Sequence, residues 1–150
     1  MKADYFNRHV ESALLEWKDS PLRKPILNYG ARQVGKSSLI RKFGAEQYKS
    51  VTEINFMRDS NADNIFAEGM GAEKILESIQ LYTGKPFSIE HDLLVFEEIG
   101  FSHKALTSLK FFTEEAPNVH LMTTGSNIGL YRSFPVGKVD WLSMFLMTLI

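Results

Sequence analysis

Residues Gly30-Ala31-Arg32-Gln33-Val34-Gly35-Lys36-Ser37 decide how this chain is read. The octet satisfies G-x-x-x-x-G-K-S/T at every fixed position, a match that arises by chance in roughly one chain of this length in two hundred. Each fixed residue has a physical task. Gly30 and Gly35 let the main chain curl around an anion where a Cβ would collide. Amides of the loop and of the helix that follows point at phosphate oxygens, so the binding set runs from Gly30 through Ala31, Arg32, Gln33, Val34, Gly35, Lys36 and Ser37 to Ser38. Lys36 brings a charge to the β- and γ-phosphates, and the Ser37 hydroxyl is a ligand for Mg²⁺.

The flanks supply the context the motif needs. Pro25-Ile26-Leu27-Asn28-Tyr29 reads as a short buried strand. Lys36 to Phe43 reads as a helix with Leu39, Ile40 and Phe43 inward and Gly44 as its C-cap. Strand, loop and helix in that order are the phosphate-loop arrangement. Further out, Phe6, Val10, Ala13, Leu14 and Trp17 recur at helical spacing, which predicts a helix over 4–18, ended by Asp19-Ser20-Pro21. Val51 to Phe56 alternates as a strand, and 58–70 is polar and reads as loop. A helix is predicted over 72–82, broken at Thr83-Gly84-Lys85-Pro86. Leu93-Leu94-Val95-Phe96 is a continuous apolar run, as in a strand covered on both faces. A helix over 104–115, a strand over 119–123, a loop over 125–138 and a strand over 139–147 complete the chain. Strands alternating with helices predict an α/β fold with a mostly parallel sheet.

Composition narrows the function classes. One hundred and fifty residues suit one domain, and 44% apolar with 23% charged residues excludes a disordered chain. A net charge of −1 gives no global field for nucleic acid, which speaks against that partner for this stretch alone. With no cysteine, disulfides, thiolate metal sites and cysteine nucleophiles are excluded. The four histidines show no ligand spacing. The first residues lack a signal-peptide core, and Trp141 to Ile150 is too short to span a bilayer, so a cytoplasmic protein with no membrane partner is expected.

A phosphate loop that holds Mg²⁺ needs an acid near the metal, and hydrolysis needs a group to position water. Leu93-Leu94-Val95-Phe96-Glu97-Glu98 ends an apolar strand in two carboxylates, at the edge where open α/β sheets face their ligand. Glu97 is the candidate metal ligand, with Ser37, and Glu98 the candidate catalytic residue. Beyond the next strand, Thr124, Ser126 and Asn127 are polar candidates near the γ-phosphate, against the plainer reading of a turn built of turn-forming residues. Arg132 is a candidate arginine finger, although a solvated surface charge is the simpler reading. Phe111-Phe112 reads as core.

The blocks Lys24-Pro25-Ile26-Leu27, Gly30 to Ser37, Ile54-Asn55-Phe56, Ala105 to Lys110, Gly125-Ser126 and Phe134 to Val139 resemble a prokaryotic family of AAA-type P-loop ATPases. The resemblance covers most of the chain. It implies a three-layer αβα core whose five-stranded, mostly parallel sheet runs in the order 5-1-4-3-2. It implies ATP and Mg²⁺ as ligands, Glu97 and Glu98 in the place of an Asp-Glu pair, Ser126 as a catalytic sensor, and self-association as a homo-oligomer. The chain departs from the pattern at Glu97, where Asp is expected. It departs also at Met57, at Gly100 and at Phe145-Leu146. By the same resemblance, residues 1–22 are an N-terminal helix and lead-in and 23–150 the ATPase core. The core stops at its fifth strand, so a truncated chain without lid or C-terminal domain is expected.

The leading functional expectation is ATP binding with Mg²⁺-dependent hydrolysis. The alternative is a truncated nucleotide-binding or interaction fragment with little or no turnover. A GTPase or nucleotide kinase is a third reading, disfavoured because no Asn-Lys-x-Asp motif is present.

Overall fold

Leu93 to Phe96 is apolar at every position, which suits only a strand with helices on both sides. It forms an inner strand of the sheet, paired on both sides. A computed structural model describes residues 2–21, 23–29, 36–125 and 140–141. In chain order the elements are α1 (Lys2–Asp19), β1 (Ile26–Tyr29), α2 (Lys36–Gln47), β2 (Ser50–Asn55), a 3-10 turn (Ala62–Phe66), α3 (Ala72–Thr83), β3 (Asp92–Glu97), a 3-10 turn (Ile99–Phe101), α4 (His103–Glu115), β4 (Leu121–Gly125) and β5 (Asp140–Trp141). The sheet order is β2-β3-β4-β1-β5, and every pairing is parallel. Read from the other edge, this is the expected 5-1-4-3-2. Of the expected fifth strand, only Asp140 and Trp141 are described, in register with Ile26 and Leu27; the rest lies outside the described residues.

The two faces of the sheet carry separate cores, because successive strand residues point to opposite sides. Ile26, Leu93, Val95 and Met122 pack with Val10, Leu14 and Trp17 of α1 and Ile40 and Phe43 of α2. Leu27, Ile54, Leu94, Phe96 and Leu121 pack with Ile75 and Ile79 of α3 and Leu109 and Phe112 of α4. The layers are therefore α1/α2, sheet, α3/α4. Each fully buried large apolar side chain contributes about 1.5–3 kcal/mol, and Phe96 and Phe112 meet edge to face at 6.0 Å. Phe112 is buried and Phe111 half-buried.

Helix α2 does not end at Gly44. It runs on to Gln47, and Gly44 is there for closeness: a Cβ at this position would lie 2.4 Å from Cγ2 of Val51 and 3.3 Å from Cδ2 of Leu93. The segment 58–70 is also more than loop. Its 3-10 turn buries Ala62, Ile65 and Phe66, and Ser102, the N-cap of α4, donates its hydroxyl to Asp63 in that turn. Gly84 closes α3 in the left-handed conformation at φ 70°, as the break at 83–86 predicts.

At the end of the sheet where strands begin, polar groups tie α1 to the rest. The Arg23 guanidinium donates to the carbonyls of Lys18 (2.8 Å), Ser20, Pro117 and Asn118. The Tyr48 hydroxyl and Nδ1 of His120 are hydrogen-bonded. Burial, with Arg23 and Lys18 nearby, lowers the His120 pKa to about 4. Among the described residues no helix is long and apolar enough to cross a membrane.

Candidate nucleotide site

The opposite end of the sheet, where the strands finish, holds a row of polar side chains. Asn28 of β1 is in register with Thr124 of β4, and Asn55 of β2 with Glu97 of β3. Phe96 pairs with Thr123, so one residue on, Glu97 neighbours Thr124. Asn55, Glu97, Thr124 and Asn28 thus lie in one row across four strands. Strand alternation turns all four toward the α1/α2 layer, the side of Ile26, Val95 and Met122. Three are deeply buried: Asn28 at 1% exposure, Thr124 at 2% and Glu97 at 4%. Polar groups are rarely buried unless partnered, so such a row at the mouth of a parallel sheet marks a functional edge.

The partners are unevenly distributed. Oε2 of Glu97 accepts from Nδ2 of Asn55 at 3.3 Å and lies 3.8 Å from Nη2 of Arg41. Asn55 is itself fixed, because its Oδ1 accepts from the amides of Met57 and Arg58, both at 3.0 Å. Arg41 also pairs with both oxygens of Glu53, at 3.0 and 3.4 Å. Among the described residues, Oε1 of Glu97 is buried with no hydrogen-bond partner, as are both polar atoms of the Asn28 amide. One oxygen of the carboxylate is held and the other is left open.

Glu98 follows in a conformation that side chains resist. At φ 51°, ψ 51° it is left-handed, which no other described non-glycine residue is. This strain, of order 1–2 kcal/mol, turns the chain sharply off the strand. The Glu98 amide donates to Oγ1 of Thr124 at 3.0 Å, which fixes the turn to the end of β4.

Helix α2 opens at Lys36 on this same side, and Ser37 lies one helical turn before Arg41, the residue that reaches Glu97. The structure therefore brings the start of α2 and the end of β3 to one corner. Ser38 is exposed in the first turn of α2. Gly30, Ala31, Arg32, Gln33, Val34, Gly35, Ser126, Asn127 and Arg132 lie outside the described residues. Among the described residues no cluster of three or more His, Cys, Asp or Glu could hold a metal by itself. The donor set still fits Mg²⁺, which keeps few protein ligands and takes the rest from phosphates and water: the open, buried Oε1 of Glu97 has the chemistry of such a ligand.

Sequence reasoning passed over Arg41 and Asn28, and took Asn55 only as part of a resemblance. Asn28 did carry a signal, since it is a polar residue within a short buried strand. Arg41 carried none, because its role depends on packing between α2 and the β2–β3 edge.

A parallel α/β sheet with the phosphate-loop sequence motif after β1 and an acidic β3 end defines a P-loop nucleotide-binding protein. Residues 22–149 match the AAA domain family, and the chain belongs to that family of P-loop ATPases, whose common property is nucleotide binding. No curated protein sequence matches the chain. Among solved structures it is similar to a chain of Drosophila ORC bound to DNA (18% identity, 98% of this chain and 97% of that one, TM-score 0.55). It is also similar to the Aeropyrum pernix ORC1 protein in complex with DNA (13% identity, 93% of this chain, TM-score 0.58). The chain spans 44% of the Aeropyrum pernix protein's length. At these identities the likeness is one of fold.

Proposed function

We propose that this chain binds Mg-ATP at the corner between α2 and the end of β3, and hydrolyses it. The observation that carries the reading is the buried Glu97 carboxylate, with Oε2 held by Asn55 and Oε1 open, on the face from which α2 rises. In this reading the amides of residues 30–38 and the Lys36 ammonium bind the phosphates. Ser37 and Glu97 hold Mg²⁺, which neutralises charge building on the phosphate oxygens. Asn55 and Arg41 keep the carboxylate from turning. Glu98 orients the attacking water, and its strained turn, tied to Thr124, sets its direction. Ser126 acts as the polar sensor beyond β4. Family sites are commonly completed by a neighbouring copy, so self-association on nucleotide belongs to the proposal.

A second reading, nucleotide binding with little turnover, draws on one observation. Glu97 carries one methylene more than the expected Asp, and Arg41 stands 3.8 Å from it, so a cation competes for the acid that Mg²⁺ requires. Titration with a fluorescent ATP analogue, with and without Mg²⁺, and phosphate release beside a Lys36→Ala control test both. Binding lost in Lys36→Ala and release above that control support hydrolysis. Release equal to the control leaves binding alone, and no binding by the parent chain refutes both.

A further inference from the structure

Helix α2 lies along β2, and its side chains meet that strand in order. Gly44 is packed against Val51, and Arg41, three residues earlier on the same helix face, bonds Glu53. Val51, Glu53 and Asn55 share one strand face at a spacing of two. Asn55 is in register with Glu97, which the Arg41 guanidinium also approaches.

Arg41 therefore stands between two carboxylates of different kinds. The Glu53 side chain, on the edge strand, is 29% exposed, whereas that of Glu97 is 6% exposed. The guanidinium bonds the outer acid. Its Nε and Nη2 donate to the two oxygens of Glu53, at 3.0 and 3.4 Å, in the forked pairing that suits a carboxylate. Nη2 stops 3.8 Å from Oε2 of Glu97, beyond hydrogen-bonding distance. Glu53, through its hydrogen bond and then its charge, raises the Arg41 pKa more than the Glu97 charge does. Oε2 of Glu97 accepts instead from the neutral amide of Asn55 at 3.3 Å. A buried carboxylate interacts more strongly with a full cation than with a neutral donor, so it is the pairing with Glu53 that keeps Arg41 off Glu97.

We propose that Glu53 is a positioning residue that sets the metal affinity of the site, holding the Arg41 cation at the sheet edge so that the Glu97 carboxylate is left for Mg²⁺. The inference rests on the Mg-ATP reading above. Its chemistry is a competition of two cations for one carboxylate. Mg²⁺ demands strict geometry and gives up its water reluctantly, so a guanidinium bonded to Glu97 raises the metal concentration that the site requires. Without the Glu53 charge, Glu97 is the one carboxylate left to Arg41 among the described residues. The Arg41 side chain is 54% exposed, which leaves it room to close on Glu97 by rotation of its own bonds.

The test reads the Mg²⁺ concentration that gives half-maximal binding of a fluorescent ATP analogue, in the full chain, in Glu53→Gln and in the double variant Glu53→Gln/Arg41→Gln. In Glu53→Gln this concentration should rise about fivefold or more, the scale of one ion pair gained, with binding at saturating Mg²⁺ retained. Removing the cation in the double variant should bring it back to within about twofold of the parent. A Glu53→Gln value that stays within about twofold of the parent overturns the inference. A rise that persists in the double variant also overturns it, because Glu53 then acts on the fold and not through Arg41. Parent binding that is indifferent to Mg²⁺ overturns the inference and leaves nucleotide binding standing, whereas no binding by the parent refutes the nucleotide reading itself.

Discussion

Gly44 offers a test in which two rules predict opposite signs. In an ordinary helix interior, replacing glycine by alanine stabilises by about 0.8–1.0 kcal/mol. Here the new Cβ would lie 2.4 Å from Cγ2 of Val51, 3.3 Å from Cδ2 of Leu93 and 3.7 Å from Cβ of Val51. Carbon atoms pack best at about 3.5–4.0 Å, so the first contact overlaps by more than 1 Å. Val51 is β-branched and stiff at χ1, and Leu93 is fully buried. The helix must therefore move outward, or Val51 must leave its rotamer. Overpacking of this kind costs about 1–3 kcal/mol, and the propensity gain is absorbed. Gly44→Ala should destabilise by about 1 kcal/mol, or about 2–4 °C in thermal midpoint for a domain of this size. Thermal and urea melts followed by circular dichroism read this directly. Val51→Ala in the same chain should restore the ordinary gain, giving a favourable coupling in a double-mutant cycle. Because α2 also carries Lys36 and Ser37, the single variant should bind Mg-ATP more weakly. A Gly44→Ala chain more stable than its parent by about 1 kcal/mol would refute the reasoning.

Two further predictions concern charge. His120 titrates near 4 when folded, against 6.5 as an ordinary histidine, because burial, Arg23 and Lys18 disfavour its protonated form, with Asp19 opposing and Tyr48 hydrogen-bonded to the ring. The unfolded chain therefore binds a proton that the folded chain refuses between these values, so stability falls as pH drops from about 6.5 to 4. Discounted for a half-buried ring, the loss is about 1–2 kcal/mol; urea midpoints across this range should fall less steeply in His120→Asn, and parallel profiles would contradict the assignment. At the candidate site, Glu97→Asp should raise phosphate release by shortening the acid toward the length Mg²⁺ geometry favours, and unchanged turnover would sink that expectation.

The loop motif, the order of the strands and the acidic end of β3 were legible because each is carried by consecutive residues or by a resemblance spanning most of the chain. Gly44 was misread because a glycine near the end of a helix is usually a cap, and only the distance to Val51 distinguishes the two uses. The buried turn at Ala62–Phe66 was hidden by its polar neighbours Asn61, Asp63 and Asn64, which dilute three apolar residues below any periodic signal. The row Asn55, Glu97, Thr124, Asn28 is created by register across four strands. No local window of sequence contains it, and its physical sign, the burial of Asn28, Thr124 and Glu97 side by side, exists only once the layers have closed.

Helix α1 bears on where the folding unit starts. The family match begins at residue 22, yet Val10, Leu14 and Trp17 supply one wall of the core shared by Ile26, Ile40, Val95 and Met122. Arg23 and Trp17 fasten the junction through the carbonyls of Lys18, Ser20 and Lys24. A boundary placed at residue 22 would divide a hydrophobic core and bare an apolar sheet face behind the phosphate-binding helix. Here the stretch that relatives share and the stretch that can fold are different lengths of chain, and the helix outside the family pattern is what makes the inside of it water-tight.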